Sequence, residues 1–134
     1  MNLLKQNMQQ DVKNNLETLL AVDVDFSLLS EKIGPASAFK EYLSKDSIML
    51  PNNQNPIVGI VNISKSMELG ADENMTWQPK GGMVDSIGEM GYTWGEYTLV
   101  LENKKEIKGK YLNVWNKIDN KWKVIADIGN NSPI

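Results

Sequence analysis

The chain of 134 residues has the length of one ordinary domain, and it can bury a core without disulfides or metals. Its net charge of −3, with 41% hydrophobic and 23% charged residues, is typical of a globular protein. That balance gives no basic face for nucleic acid. The sequence contains no histidine, cysteine or arginine. Any acid–base chemistry would therefore use Asp, Glu, Lys or Tyr, and we predict no metal and no cofactor.

The N-terminal residues carry no targeting signal that the sequence reveals. No apolar run approaches the ~20 residues that a membrane-spanning helix needs. Residues 1–7 lack the apolar core of a signal peptide. We therefore predict no membrane partner and a cytoplasmic location. The alternative is an exported protein whose signal peptide is already removed.

Helical spacing dominates the first half of the chain. Residues 1–10 are polar, which predicts a flexible N-terminus followed by a single domain over residues 11–134. Apolar residues recur at helical intervals over residues 12–33, and Gly34-Pro35 ends that helix and starts another. A third short helix is predicted over residues 62–69.

Strand patterns dominate the second half. A short strand at residues 48–50 precedes a polar loop bounded by two prolines. Alternating runs then follow at residues 75–86, 91–102, 107–118 and 122–128. Gly81-Gly82 predicts a bend in the first run, and Asp119-Asn120 predicts a two-residue turn before the last. Helices followed by antiparallel strands indicate an α+β fold, with a sheet that curls around the long helix and leaves an apolar pocket.

Several motifs carry a resemblance to a known family. They are Gly91-Tyr92-Thr93-Trp94-Gly95, Gly109-Lys110-Tyr111, Val114-Trp115 and the run from Trp122 to Asn130. With the order of elements, they resemble the nuclear transport factor 2-like superfamily, and within it the SnoaL-like group of bacterial proteins, over residues 14–133. The resemblance implies a cone-shaped α+β roll. In such a roll the N-terminal helices pack in the concave face of a strongly curved, mostly antiparallel sheet. It also implies a deep pocket and homodimers that pack through the sheet.

The chain departs from the catalytic patterns of that superfamily. Its steroid isomerases carry a catalytic aspartate just before the proline that follows the first strand, whereas Leu50 precedes Pro51 here. The histidine–aspartate pairs of related dehydratases cannot form without histidine. No catalytic set therefore carries over residue by residue.

Two aspartates are the catalytic candidates. Asp127 is the one carboxylate in the apolar run 124–128, and a pocket position would raise its pKa and suit it to act as an acid or base. The alternative is a structural carboxylate, bonded to a tyrosine, a lysine or a backbone amide. Asp23 and Asp25 interrupt the apolar face of the first helix and point in different directions. We take Asp25 as the second candidate; the alternative is a helix that passes from solvent to core.

Aromatic, methionine and carboxylate side chains supply the ligand-binding candidates. Strict alternation puts Trp94 and Glu96 on one face of their strand and Tyr97 on the other. Aromatic residues at strand spacing also build cores, and Glu96 could instead pair with a lysine such as Lys117. The candidates that we predict to contact a ligand are Met49, Trp77, Trp94, Glu96, Tyr97, Tyr111 and Trp115.

Three functions remain open from the sequence. The first is a pocket that binds a small hydrophobic or amphipathic molecule. The second is an isomerase, cyclase or dehydratase that moves a proton next to a carbonyl, with Asp127 or Asp25 as the base and Tyr97 or Tyr111 as the donor. The third is an association module, a homodimer through the sheet that performs no chemistry. We favour the first, because the sequence carries no complete catalytic set.

Overall fold

The computed structural model describes residues 2–70 and 72–134, and three helices in it pack against one six-stranded sheet. The elements in chain order are α1 (Leu3–Ile33), α2 (Pro35–Tyr42), β1 (Leu43–Leu50), β2 (Ile57–Val58), α3 (Ile60–Glu68), β3 (Asn74–Val84), β4 (Met90–Val100), β5 (Glu106–Ile118) and β6 (Lys121–Asn131). This order confirms the predicted α+β class, with helices first and the longer strands afterwards.

The strands lie in the order β2-β1-β6-β5-β4-β3. All neighbours are antiparallel except β1 and β6, which are parallel. The last four strands form a continuous meander, as the alternating runs predict. Register shifts interrupt β1, β3 and β6. Such bulges bend and twist a sheet, so the sheet curls around the helices as predicted.

Helix α1 begins earlier than the apolar spacing indicates. It starts at Leu3, because the Asn2 side chain accepts a hydrogen bond from the Lys5 amide and caps the first turn. The apolar pattern begins only at Val12 because the side chains of residues 2–10 are all exposed and need no core-facing stripe. The flexibility of residues 1–10 stays a prediction, and Met1 lies outside the described residues.

The predicted turns and bends are close to those observed. In β3 the register shifts between Pro79 and Gly81, which leaves Lys80 as the extra residue of a bulge and makes one continuous strand of the predicted segments. Asp119 and Asn120 both have positive φ, as the predicted primed turn requires. Strand β1 is longer than predicted and begins at Leu43, directly after α2.

The core lies between α1, α2 and the concave face of the sheet. Phe26 of α1 is fully buried at its centre, and its ring contacts the rings of Phe39, Tyr42, Trp77 and Trp115 at centroid distances between 4.6 and 6.1 Å. These aromatic contacts fill the space between α1, α2 and the sheet. No helix among the described residues is long and apolar enough to cross a membrane.

Candidate functional site

A cavity of about 380 Å³ lies beside the aromatic core, and Phe39 and Trp77 of that core form part of its wall. This volume is in the range of small-molecule sites and would hold roughly a dozen water molecules at about 30 Å³ each. Residues of α2, α3 and all six strands, or of their connecting loops, line it. The apolar part of its wall is formed by Phe39, Met49, Ile57, Met67, Met75, Trp77 and Leu99.

Four polar side chains from neighbouring strands line the same cavity, and we call them the polar end: Tyr97, Tyr111, Asn113 and Asp127. Asn113 and Asp127 are paired directly across β5 and β6. Directly opposed residues have Cβ atoms about 4.5–5.5 Å apart. The polar end therefore forms one contiguous patch on the concave face of the sheet.

A β-bulge turns the Asp127 side chain toward the cavity. Trp115 of β5 pairs with Val124, and Val114 pairs with Ala126, so Ile125 is the extra residue of the bulge. Val124 is fully buried on the concave face. Without the bulge, strict alternation from Val124 would send Asp127 to the convex face. The extra residue shifts the alternation of side chains by one position. Asp127 therefore lies on the concave face and lines the cavity opposite Asn113.

The pKa of Asp127 is raised from 3.8 to about 7. Loss of hydration by burial is the largest cause, and the negative charge of Asp23 adds to it. A carboxyl with this pKa exchanges its proton near neutral pH, which ordinary aspartates do not do. Asp127 can therefore present either a carboxylate or a protonated carboxyl group to the cavity.

Asp23 stands behind the polar end and is fully buried. It accepts hydrogen bonds from Trp77 Nε1 to Oδ1 and from the Tyr111 hydroxyl to Oδ2, both at 2.8 Å. Burial raises the pKa of Asp23, and the hydrogen bonds from Tyr111, Trp77 and Thr93 act in the opposite direction. Asp23 thus fixes two side chains of the cavity wall from the helix side.

Two serines on the same stripe of α1 hold the edge strand against the helix. Ser27 Oγ accepts from the Trp77 amide at 2.8 Å, and Ser30 Oγ donates to the Met75 carbonyl at 2.6 Å. β3 is the last strand of the sheet, so these bonds satisfy backbone groups that no further strand pairs. The same face of α1 therefore fixes the Trp77 ring through Asp23 and the edge-strand backbone through Ser27 and Ser30.

The two tyrosines of the polar end both direct their protons away from the cavity. The Tyr111 hydroxyl donates to Asp23, and the Tyr97 hydroxyl donates to Asn131 Oδ1 at 2.6 Å. Burial first, and nearby aspartates second, raise the pKa of both hydroxyl groups. Both tyrosines stay protonated at neutral pH and offer acceptor lone pairs to the cavity.

Four predicted site residues lie outside the cavity. Asp25 is exposed, because a residue two positions after Asp23 in a helix points in a different direction, here away from the core. Trp94 and Glu96 lie on the convex face, where Trp94 covers Gly81 of β3 and Glu96 stands opposite Lys110 rather than Lys117. Trp115 is fully buried within the aromatic core.

The other predicted candidates line the cavity, namely Asp127, Met49, Trp77, Tyr97 and Tyr111. Their roles in binding or catalysis stay predictions. The sequence did not single out Asn113, which lines the cavity, and it favoured Asp25 over Asp23, which contacts two lining residues. A signal for Asp23 was present, since it lies four residues after Leu19 and three before Phe26, both fully buried. No comparable signal distinguishes Asn113.

Removal of the Tyr111 hydroxyl tests the link between α1 and the polar end. Tyr111→Phe is expected to lower the free energy of unfolding by about 1.5–3 kcal/mol, because it leaves a buried carboxylate oxygen of Asp23 without its donor. Chemical denaturation at pH 7 measures the change. Tyr92→Phe, on the convex face, is the matched control and is expected to change stability by less than about 0.5 kcal/mol. Equal effects of the two substitutions would contradict this role of Tyr111.

No group of three or more aspartates or glutamates that could hold a metal ion is found within residues 2–70 and 72–134. Most carboxylates of the chain lie on exposed positions. Asp23 is buried, and Asp127 and Glu73 are half-buried in the cavity wall.

Comparisons with known proteins agree with the fold. No family model matches the sequence, and a search of curated proteins finds no match. Solved structures do match. A ketosteroid isomerase-like protein from Erwinia carotovora atroseptica is 11% identical, with a TM-score of 0.71 over 87% of this chain and 96% of that chain. An NTF-2 like protein of unknown function from Shewanella oneidensis is 13% identical, with a TM-score of 0.68 over 82% of this chain and 94% of that chain.

A third similar structure comes from Xanthomonas campestris and is assigned as a calcium/calmodulin dependent protein kinase II association domain. It is 18% identical, with a TM-score of 0.62 over 87% of this chain and 82% of that chain. The chain therefore has the fold of NTF2-like and ketosteroid isomerase-like proteins, as its motifs predict. At such identities the likeness shows the fold alone, because this fold hosts many unrelated functions.

Proposed function

We propose that this protein binds a compact amphipathic small molecule in the cavity, with the apolar part of the ligand against the aromatic and methionine wall. The polar part contacts Asp127, Asn113 and the two tyrosines. The observation that carries the proposal is the combination of a 380 Å³ apolar cavity with one contiguous polar end. Small-molecule sites usually combine an apolar wall with a few polar groups that orient the ligand.

A cavity-filling substitution tests the proposal. Gly129 lines the cavity, and a Cβ there would lie 3.5 Å from Tyr97 Cε2 and 3.8 Å from the Lys110 carbonyl, which is ordinary contact. Gly129→Val should therefore fold and project its methyl groups into the space for the ligand. We expect it to weaken binding by at least about tenfold, since overpacking costs about 1–3 kcal/mol.

The measurement is ligand-detected NMR with a panel of compact aromatic and alicyclic compounds of neutral, cationic and anionic type. Thr98→Val is the matched control, because it adds a valine on the convex face of β4. Binding to wild type and to Thr98→Val, but not to Gly129→Val, supports the proposal. A panel without any millimolar binder, or equal binding to all three proteins, would refute it.

Proton transfer next to a carbonyl is a second candidate function. The pKa of Asp127, about 7, favours it, because a general base works best when its pKa is close to the operating pH. Two observations weigh against it. The tyrosine protons that would polarise a carbonyl already bond to Asp23 and Asn131, and Asp25, the other candidate base, lies outside the cavity. We therefore rank binding first.

We also propose that two copies associate through the convex face of the sheet. The register brings apolar side chains of the six strands together there, and several of them are largely exposed. They are Ile48, Leu50, Val58, Met83, Trp94, Leu112 and Ile128. A contiguous apolar patch is typical of an association surface.

Trp94→Glu at the centre of this convex patch is expected to shift a dimer to monomer, because it buries an unpaired charge in the interface. Analytical ultracentrifugation measures the mass in solution. Ile87→Glu is the control, since it adds the same charge in the exposed β3–β4 turn. A wild-type protein that sediments as a monomer at high concentration would refute the association.

A further inference from the structure

We propose that the ligand of this cavity is a compact organic cation, a primary or secondary ammonium group on an apolar body, whose N–H groups bond to Asp127 and to the tyrosine oxygens beside it. This inference rests on the proposed binding function and gives it a ligand class. Three independent features of the cavity support it: the hydrogen-bond acceptors of its polar end, its negative charge, and its wall of aromatic and methionine side chains.

The polar end consists mainly of acceptors without donors. The Tyr97 and Tyr111 protons are already used within the protein, which leaves their oxygen lone pairs for the cavity. The carboxylate of Asp127 accepts hydrogen bonds and donates none. A ligand that brings several N–H donors matches the Asp127 carboxylate and the two tyrosine oxygens. The donors among the described lining side chains are uncharged amide and hydroxyl groups, so a carboxylate or phosphate ligand would find no cationic donor there.

The charged side chains that line the cavity are negative, which also favours a cation. Asp127 and Glu73 both line it, and among the described residues that line it none is a lysine. Arginine and histidine are absent from the whole sequence. A bound cation would therefore find uncompensated negative charge in a region of low dielectric constant, where attraction is stronger than in water.

The apolar wall suits a cation with a hydrophobic body. Trp77 and Phe39 lie in the wall together with Met49, Met67 and Met75. Aromatic faces attract ammonium groups by about 0.5–2 kcal/mol, and methionines adapt to varied apolar shapes. The tryptophan ring is held by Asp23 and so is already oriented before the ligand arrives.

The affinity for such a ligand should depend on pH through Asp127. The titratable groups near it are Asp23 of α1, Tyr97 of β4 and Tyr111 of β5, and Glu73 before β3 lines the same cavity. The described lining residues of α2, α3, β1 and β2 carry no charge. Because the pKa of Asp127 is about 7, the ionised fraction rises about 30-fold between pH 5.5 and 8, and cation affinity should rise with it.

Isothermal titration calorimetry with three probes of matched shape tests the inference. The probes are 2-phenylethylammonium, neutral 2-phenylethanol and anionic phenylacetate. At pH 8 we expect the cation to bind at least about tenfold more tightly than either isostere. Its affinity should fall about 30-fold at pH 5.5, while that of the alcohol stays constant. Near pH 7, binding of the cation should release protons, which appears as a dependence of the heat on the buffer.

Two variants make the test specific. Asp127→Asn keeps the shape of the side chain and should weaken only the cation, by at least about tenfold. Glu96→Gln removes the same charge from the convex face and should change nothing. If the alcohol or phenylacetate binds as tightly as the cation and Gly129→Val abolishes that binding, the cavity function stands and the cation inference fails. If none of the three probes binds, both fail. Equal cation binding to wild type and Asp127→Asn also overturns the inference.

Discussion

Trp115→Ala is expected to lower the free energy of unfolding by about 3–5 kcal/mol, the usual range for loss of a large buried aromatic side chain. Trp115 is fully buried, and its ring meets those of Phe26 and Tyr42 edge to face. Its Nε1 also donates to Thr93 Oγ1 at 2.9 Å. Removal of the ring creates a cavity at the junction of α1, α2 and the sheet and leaves a buried hydroxyl without its donor.

Urea denaturation at pH 7 measures this change, and Trp94→Ala is the matched control. Trp94 is 45% exposed on the convex face, so its loss should cost much less at protein concentrations where the chain is monomeric. A destabilisation of less than about 1 kcal/mol by Trp115→Ala would contradict the burial described here.

Asp127→Asn is expected to stabilise the ligand-free protein at pH 8 by about 2–4 kcal/mol. The pKa of Asp127 is raised from 3.8 to about 7, and each unit corresponds to 1.36 kcal/mol. The full shift gives about 4 kcal/mol, and contact with the open cavity reduces that value. Between pH 4 and 7 the folded protein holds the proton more tightly than the unfolded chain. The free energy of unfolding therefore falls as pH rises through that window.

The test is the difference in unfolding free energy between Asp127→Asn and wild type from pH 4 to 8. It should grow with pH until about pH 7 and then stay constant. Glu96→Gln is the control, because it removes an exposed carboxylate and should stay within about 0.5 kcal/mol of wild type throughout. A difference for Asp127→Asn that does not change with pH would show that this carboxyl is hydrated in the folded protein.

The two effects of Asp127→Asn have opposite directions. The substitution should make the empty protein more stable and make it bind a cation less tightly. A cavity residue that lowers stability is typical of functional sites, where strain and buried charge are offset by the rest of the fold. Core residues such as Phe26 and Trp115 differ from Asp127, because their burial increases stability.

The sequence predicts this architecture well because periodicity is a property of local segments. The alternating runs that became β4, β5 and β6 face the core on one side, and their side chains repeat every second residue. The Asp119-Asn120 turn was predictable because both residue types tolerate positive φ. Helix α1 was predicted only where it carries an apolar stripe, since its exposed first turns have no pattern to detect.

The candidate site was less predictable, because it depends on where alternation fails. The inward direction of Asp127 follows from the bulge at Ile125, and no residue in that segment marks a bulge as glycine does in β3. The choice between Asp23 and Asp25 needed the exact phase of a 31-residue helix. The position of Asn113 beside Asp127 follows from the pairing of β5 with β6, which sequence spacing does not show.

The most direct test of the site is an NMR titration of the Asp127 carboxyl carbon, recorded with and without saturating 2-phenylethylammonium. We predict a midpoint close to pH 7 in the free protein and a clearly lower midpoint in the presence of the probe, because a bound cation favours the carboxylate. A midpoint close to 3.8 in the free protein, unchanged by the probe, would show a hydrated carboxylate outside any binding site and would contradict the proposed function.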